Sequence, residues 1–325
     1  MSSASWPGWP MEGSPGSWAV DRALVLISPG ARRGAAAHLR PWLEAAITAA
    51  VRERGLEAEF ATPPSALAAA HLLRGAPRAG YGLAVAAGGD GSVRLAVHAL
   101  ADSGMPLAIV PLGTGNLLAA TLGISRDPLK AVARLAVAQP VTIDTGLLTT
   151  AGVSESFAVA AGLGFDARLM AQTSAALKAR LGVMAYFATA LRMLPSLPAA
   201  RTELTVDGRH YELSAVVVLV ANCGQILPGY VGPRAPLDPT DGLLDVVVIR
   251  GATFPTGIVV AGRSALDALL RGEMGTGGAS LRLRGADIHV TTDPPEPIQV
   301  DGDPLPISTG TFRAQVRPNS LTVLV

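Results

Sequence analysis

The sequence has little that would indicate a secreted, membrane-spanning or nucleic-acid-binding protein. Its 325 residues include one cysteine, Cys223, which excludes an internal disulfide and fits a reducing compartment. Charged residues make up 16% of the chain and the formal net charge is +1, so binding to nucleic acid through phosphate neutralisation is not expected. No apolar run approaches the roughly 20 residues that a membrane-spanning helix needs, and no signal peptide is recognisable. We therefore expect a cytoplasmic globular protein.

The pattern of the chain changes twice and predicts two domains after an N-terminal tail. Residues 1–19 are rich in Ser, Pro, Gly and Trp without periodicity, which predicts a disordered tail. From 20 to 143, short apolar runs alternate with helical patterns, as in a parallel sheet with helices on both faces. From 144 to 325, short strands separated by turns, among them 156–162 and 321–325, predict a mostly antiparallel β domain. One helical stretch, at about 167–194, interrupts these strands.

The first domain contains a glycine-rich turn between a predicted strand and a predicted helix. Leu83–Ala87 is an unbroken apolar run, typical of a strand buried on both faces, and helical spacing begins at Val93. Between them lie Gly88, Gly89, Asp90, Gly91 and Ser92. Glycines allow the backbone to come close to a ligand, and a helix N-terminus offers free N–H groups to an anion. Because an acid beside a phosphate site usually needs a cation, Asp90 indicates Mg2+ with a nucleotide.

Polar residues also follow the other predicted strands of this half. Ser28 follows the strand 23–27, and Thr62 follows the strand 56–61. The strand 106–111 is followed, after Leu112, by Gly113, Thr114, Gly115 and Asn116. Ligands of open α/β sheets bind beyond the carboxyl ends of the strands, so these turns together predict one nucleotide-phosphate site. The alternative is that they are ordinary structural turns.

Two acidic turns in the second half are candidates for the chemistry. Asp238 and Asp241 precede the apolar run 246–249, and the turn 300–303 contains Asp301 and Asp303. Asp-Gly is a favoured turn pair, so turn chemistry alone is one interpretation. A phosphotransferase, however, needs a carboxylate to accept a proton and oxygen ligands for Mg2+. The second half would have to supply these acids across a cleft.

Five motifs resemble, in the same order, those of diacylglycerol kinases, sphingosine kinases and related bacterial lipid kinases. They are GGDGS at 88–92, PLGTGN at 111–116, GLGFDA at 162–167, LDPTDGLLDVVVI at 237–249 and VDGD at 300–303. The resemblance implies an α/β plus β fold, with a phosphofructokinase-like N-terminal α/β domain built on a parallel sheet and a C-terminal antiparallel β-sandwich. It implies ATP in the cleft between the nucleotide-binding domain (20–143) and the lipid-substrate domain (144–325).

The same resemblance implies an activity and its surroundings. The γ-phosphoryl group of ATP would be transferred to a lipid hydroxyl, diacylglycerol-like or sphingoid, with Mg2+ as the metal. The substrate would lie at a membrane surface, so a cytoplasmic protein would associate with the membrane peripherally. A homodimer is left open, and no nucleic-acid partner is implied.

Site residues are also implied by the resemblance, position by position. Those at the nucleotide would be Ser28, Thr62, Gly88, Gly89, Asp90, Gly91, Ser92, Val93, Arg94, Gly113, Thr114, Gly115, Asn116 and Asp301. Mg2+ would lie at Asp241, with Asp238 and the carbonyl of Leu243, and Asp166 would contact the substrate head group. Asp303 occupies the position of the catalytic base. Sphingosine kinases are usually described with the glycine-loop aspartate, here Asp90, as the base. We favour Asp303, with Asp90 in the Mg2+–phosphate network.

The sequence departs from the family pattern at several of these positions. Ser28 replaces an asparagine, Arg94 and Leu95 stand where Asn-Glu is common, and Asp303 is one methylene shorter than the usual glutamate. A displacement of about 1 Å can cost on the order of 100-fold in rate, which leaves reduced activity or a changed substrate open. A non-catalytic nucleotide- or lipid-binding protein is the alternative from another class. Phosphofructokinases and NAD kinases share the GGDG loop, but the turns DGLLDV and VDGD favour the lipid kinases over both.

Overall fold

The computed structural model describes residues 21–28, 40–163, 199–223, 237–250 and 280–325. The first half contains β1 (Arg22–Ile27), α1 (Arg40–Arg52), β2 (Glu57–Ala61), α2 (Ala66–Gly75), β3 (Tyr81–Gly88), α3 (Asp90–Leu100), β4 (Leu107–Pro111), α4 (Leu117–Thr121) and α5 (Pro128–Leu135). Then follow β5 (Pro140–Thr150), β6 (Val153–Phe157), β7 (Ala160–Leu163), β8 (Ala200–Val206), β9 (Arg209–Ala221), β10 (Leu244–Arg250), β11 (Ser280–Gly285), β12 (Asp287–Asp293), β13 (Ile298–Val300), β14 (Asp303–Pro304) and β15 (Thr311–Leu324).

The first half is a parallel sheet with helices on both faces, as predicted. Its strand order is β2–β1–β3–β4, and each neighbouring pair is parallel. Successive residues of β3 point to opposite faces, because side chains alternate along a strand. Leu83, Val85 and Ala87 pack in one core with α1 and α5, whereas Ala84 and Ala86 pack in the other with α2 and α3. This arrangement confirms the α/β architecture of the N-terminal half.

The second half is built from antiparallel strands around a separate core. The order β13–β7–β9–β8–β12–β15 is antiparallel throughout, and β10 pairs with β9 and β11. Buried aliphatic side chains and two phenylalanines, Phe157 and Phe312, fill this core. The β-rich C-terminal half is thereby confirmed. Among the described residues, no helix is long and apolar enough to cross a lipid bilayer.

Two predicted strands differ from those observed. The single strand predicted over 156–162 is divided into β6 and β7, with Ala158 and Val159 between them. The strand predicted at 321–325 is the end of the much longer β15, which starts at Thr311. Pro318 lies in its irregular middle, where the register with β5 shifts between Arg317 and Leu321. The predicted tail 1–19 and the predicted helix 167–194 lie outside the described residues.

Strand β15 belongs to both halves of the molecule. Its first part pairs antiparallel with β12 and β5, and its last two residues, Val323 and Leu324, pair parallel with β4. The last residues of the sequence therefore complete the N-terminal sheet. The boundary predicted between residues 143 and 144 falls inside β5, and this division into domains stays a prediction.

Strand β15 generates a stability prediction. Val323 is fully buried against the N-terminal core, so Val323→Ala should lower the free energy of unfolding by about 2 kcal/mol. Because β15 joins both halves, backbone amides of β4 and of β12 should both lose protection in hydrogen exchange. Val137→Ala, at a residue with 67% exposure, is the control and should change stability by less than about 0.5 kcal/mol. Faster hydrogen exchange in β12 but not in β4 would contradict the conclusion that β15 stabilises both halves.

Candidate functional site

The polar residues predicted at the strand ends lie along one edge of the parallel sheet. Ser28 follows β1, and Gly88 is the last residue of the neighbouring β3. A Cβ placed on Gly88 would collide with the side chain of Ser92 and lie 3.2 Å from the Cβ of Ser28. Thr62 follows β2 at the same edge, and its hydroxyl accepts a hydrogen bond from Arg40 at 3.4 Å. The structure therefore brings these four predicted residues to the carboxyl ends of three adjacent strands.

The two glycine loops touch each other through their backbones. A Cβ on Gly89 would lie 3.2 Å from the Cα of Gly113, and a Cβ on Gly113 would lie 2.5 Å from the Cα of Gly89. The Asn116 side chain closes the second loop, because its Oδ1 accepts the N–H of Gly113 and its Nδ2 donates to the Gly113 carbonyl. Thr114 is exposed and Gly115 is buried in this loop. The absence of Cβ atoms at Gly89 and Gly113 is what allows this approach.

Asp90 holds the two loops together, a role that the sequence did not reveal. Its Oδ2 accepts the backbone N–H of Asn116 at 2.9 Å, and its Oδ1 accepts the N–H of Leu117 at 2.7 Å. A carboxylate at the start of α4 satisfies backbone donors that have no acceptor within the helix. Val93, predicted at the nucleotide, has its side chain in the hydrophobic core with 5% exposure.

Asp301 ties the hairpin β13–β14 to the bend between β6 and β7. Asp301 and Gly302 have φ of +47° and +85°, as in the tight two-residue turns that Asp-Gly favours. The carboxylate of Asp301 accepts the N–H groups of Ala158, Val159 and Ala160 at 2.9 to 3.1 Å. Since these three N–H groups point to Asp301, β6 and β7 are separate strands.

Burial and hydrogen bonding have opposite effects on the pKa of Asp301. Burial raises the pKa of Asp301 to about 6, although the three backbone hydrogen bonds and the charge of Arg94 act to lower it. A carboxylate that is enclosed in this way orients the backbone around it. We therefore assign Asp301 to positioning of the hairpin that carries Asp303.

Asp303 reaches the glycine loop from the C-terminal half. Its Oδ2 lies 3.6 Å from the position that a Cβ on Gly91 would occupy, and it accepts a hydrogen bond from Nε of Arg94 at 3.0 Å. Nη1 of Arg94 donates to Oε2 of Glu155 on β6 at 3.3 Å. One guanidinium on α3 is thus shared by two carboxylates of the second half. Asp303 is the more accessible of the two, with 45% side-chain exposure against 24% for Glu155.

His98 fastens β6 to α3 one helical turn beyond Arg94. Its Nδ1 accepts the backbone N–H of Ser156 at 3.0 Å, which places the imidazole proton on Nε2. Burial lowers the pKa of His98, against the opposing effect of Glu155, so the ring is neutral near pH 7. The contact fixes the strand that carries Glu155.

The other acidic turn is organised by hydrogen bonds and by arginine. Oδ1 of Asp238 accepts the N–H and the hydroxyl of Thr240, and these hydrogen bonds hold the pKa of Asp238 below its usual value. Asp241 accepts the N–H of Leu243 through Oδ1, and its Oδ2 is ion-paired with Arg284 of β11.

A buried carboxylate fixes this turn to the rest of the fold. Asp144 has no exposed surface, and its two oxygens accept the N–H of Gly242 at 2.7 Å and the N–H of Asn319 at 2.8 Å. The acidic turn is therefore attached to β5 and to the irregular part of β15.

The carboxylate of Asp241 in this arrangement offers Mg2+ no unpartnered oxygen. A hard cation needs several free oxygen ligands, but one Asp241 oxygen faces a guanidinium and the other accepts an N–H. Within the ranges that the structure describes, no cluster of three His, Cys, Asp or Glu could hold a metal ion. The carboxylate of Asp241 is thus paired with Arg284 in this structure, and the metal site at Asp238, Asp241 and the carbonyl of Leu243 stays a prediction. Asp166, predicted at the substrate, lies outside the described residues.

Three charged residues of this region carried no recognised signal in the sequence. Glu155 lies in a polar stretch without a motif, and its partner Arg94 is far away in sequence. Arg282 and Arg284 alternate on β11 beside β10, and both approach Asp245, at 2.6 and 3.5 Å. The signal that could have identified this pairing is the alternation Arg-x-Arg in one predicted strand together with an acid, Asp245, near the start of another.

The acidic turn generates a prediction about metal removal. Since Arg284 already neutralises Asp241, we expect the melting temperature of the protein to be the same in EDTA and in Mg2+. A bound ion would raise it by mass action. The contradicting result is a rise with Mg2+ that Asp241→Asn abolishes and that Asp287→Asn leaves intact. Asp287 is a matched control because it also pairs with an arginine, Arg313, at 2.7 Å.

Comparison with known proteins identifies both halves. Residues 22–148 match the model of the diacylglycerol kinase catalytic domain, and residues 158–325 match that of the YegS C-terminal NAD kinase beta sandwich-like domain. A Pseudomonas putida protein named "Probable lipid kinase YegS-like" is 36% identical over 256 residues, covering 78% of this chain and 80% of that protein. An uncharacterized Synechocystis protein is 29% identical over 74% of this chain, and the match spans 54% of its own length.

Solved structures show the same fold. A crystal structure described as a diacylglycerol kinase from Bacillus anthracis has a TM-score of 0.67 at 20% identity, covering 94% of this chain and 96% of that one. Another from the same organism has a TM-score of 0.73 at 21% identity, with 94% and 95% covered. The two family models match in this order and together span nearly the whole described chain. The chain therefore belongs to the family of YegS-like lipid kinases with a diacylglycerol kinase catalytic domain.

Proposed function

We propose that this protein is an ATP-dependent lipid kinase that transfers the γ-phosphoryl group of ATP to a lipid hydroxyl. The observation that carries the proposal is the position of Asp303 against Gly91 of the glycine loop. Phosphoryl transfer requires a phosphate-binding loop and a proton acceptor to face the same small space. The family supports a phosphotransferase, and the name of the P. putida relative supports a lipid as the acceptor.

The phosphates of ATP would bind at the start of α3. The first N–H groups of this helix have no acceptor within the helix, and its dipole favours an anion there. Ser28, Thr62 and Ser92 add hydroxyl groups along the same edge, and Thr114 is exposed in the second loop. Mg2+ would arrive as the counterion of ATP, and we assign it no ligand from the acidic turn.

Asp303 is the proton acceptor in the proposed reaction. The lipid hydroxyl oxygen attacks the γ-phosphorus, the bond from this phosphorus to the β,γ-bridging oxygen breaks, and ADP leaves. The hydroxyl proton passes to the carboxylate of Asp303. N–H groups at the start of α3 offset the negative charge on the transferring group. The contacts of Asp90 support this choice of base, because both Asp90 oxygens already accept backbone N–H groups.

The domain roles and the location follow from this function as proposals. We assign ATP binding to residues 20–143 and lipid binding to residues 144–325. A lipid acceptor is met at a membrane surface, so we propose a cytoplasmic protein that associates with the bilayer peripherally. A homodimer stays a prediction.

The nucleotide site is tested by a substitution in the first loop. Gly89→Val would push a branched side chain against the Cα of Gly113, so ATP affinity should fall at least about tenfold. Titration calorimetry measures the affinity, and circular dichroism reports on the fold. Gly75→Val is the control, because a Cβ there meets nothing within 4 Å and affinity should be unchanged. Unchanged ATP affinity in folded Gly89→Val would remove the nucleotide site from this loop.

The reaction is tested by ATP-dependent incorporation of phosphate into extracted lipids. Asp303→Asn should lower kcat by about 100-fold or more without weakening ATP binding, because the proton acceptor is lost. Asp303→Glu restores the side-chain length usual in the family and should retain or raise kcat. If Asp303→Asn keeps full activity while Asp90→Asn is inactive, the base is Asp90. No incorporation into any lipid by the wild-type protein would reject the lipid-kinase proposal.

A further inference from the structure

Arg94 lies where the nucleotide loop and the proposed base meet. It follows Asp90 by one turn of α3, and both residues line one small cavity together with Asp301. Its Nε donates to the same Asp303 oxygen that lies against Gly91. Its side chain is 23% exposed, so this bond is partly shielded from water. The guanidinium of Arg94 thus contacts the carboxylates of Asp303 and Glu155, and Asp303 lies against Gly91 at the start of α3.

The bond between Arg94 and Asp303 opposes the proposed chemistry. A carboxylate oxygen that accepts a charge-assisted hydrogen bond is held tightly and is less available to a substrate proton. For Oδ2, the Asp303 oxygen that lies against Gly91, to accept that proton, Arg94 must loosen its hold on it. Within the described chain, the carboxylate of Asp303 accepts a hydrogen bond from no other residue, so the release of this one contact would free its side chain.

A phosphate at the glycine loop is a competing partner for Arg94. The guanidinium carries several N–H donors in a planar fork that matches phosphate as well as carboxylate oxygens. Glu155 retains the other side of the group through Nη1 and limits how far the side chain can move. His98 in turn fixes the strand that carries Glu155. Arg94 can therefore exchange one partner without losing its anchor.

We propose that Arg94 is a positioning residue that exchanges its hydrogen bond to Asp303 for one to the phosphates of bound nucleotide, and thereby releases Asp303 to act on the acceptor. This inference rests on the proposed function and deepens it, because it couples nucleotide binding to the availability of the base. Arg94 stands at a position where the sequence departs from the family pattern.

The exchange predicts the sign of an effect on ATP affinity. Asp303 competes with ATP for Arg94, so Asp303→Asn should tighten ATP binding, by about threefold for a partly exposed pair. Arg94→Gln should weaken ATP binding, by about tenfold. In the double variant, Asp303→Asn should have no further effect, because there is no guanidinium left to compete for.

The test is a four-member cycle of ATP dissociation constants measured by calorimetry: wild type, Asp303→Asn, Arg94→Gln and the double variant. Asp287→Asn removes the same charge from a distant Asp–Arg pair and should leave the affinity unchanged. Arg94→Met, of similar length, replaces Arg94→Gln in the cycle if that variant does not fold. A purely structural clamp between the two halves would instead give weaker binding in Asp303→Asn.

Two results would overturn the exchange. One is that Asp303→Asn tightens ATP binding equally in the wild-type background and in the Arg94→Gln background. Simple charge repulsion between Asp303 and ATP would give this result, because it does not need Arg94. The other is weakened ATP binding in Asp303→Asn. In either case the kinase proposal stands if Gly89→Val lowers ATP affinity as predicted above and the wild-type protein phosphorylates lipid. Failure of the wild-type protein to bind ATP rejects both proposals.

Discussion

The contact between Gly89 and Gly113 is the constraint on which the candidate site depends. The loops that follow β3 and β4 approach so closely that neither residue can carry a side chain without displacing the other backbone. Asp90 then joins these loops by accepting two N–H groups from the start of α4. The result is one rigid edge of the sheet, with the N-terminus of α3 held at a fixed position.

A second constraint brings the C-terminal half to that edge. Asp301 gathers three backbone N–H groups from the bend before β7, and the hairpin that it belongs to places Asp303 beside Gly91. Four of the carboxylates described above differ in what holds them. Asp90, Asp144 and Asp301 are held by backbone N–H groups, which cannot move without moving the fold. Asp303 is held by the side chain of Arg94, which can rotate, and this difference suits the exchange of partners that we propose.

The sequence predicted the parts of the structure that depend on local pattern. The apolar run of β3 is buried on both faces, and the glycine turn after it opens a helix, as the spacing indicated. It did not predict the partners of single charged groups. In each of three cases the partner lies far away along the chain: Asp90 accepts N–H groups from the start of α4, Arg284 pairs with Asp241, and Glu155 pairs with Arg94. The early part of β15 was missed because Pro318 interrupts its strand pattern, and the division of β6 from β7 follows from a carboxylate more than a hundred positions away.

The pairing of Val323 and Leu324 with β4 has a consequence for how the protein is made. A ribosome releases the chain from its N-terminus, so the strands that carry the glycine loops emerge long before their last neighbour in the sheet. Until residues 323 and 324 have left the exit tunnel, one edge of β4 lacks its hydrogen-bond partner and is open to pairing with other chains. The N-terminal half can therefore be synthesised early and yet gain the parallel neighbour of β4 only after most of the C-terminal half has emerged. Its exposed edge is a surface of the nascent protein that a chaperone would have reason to cover.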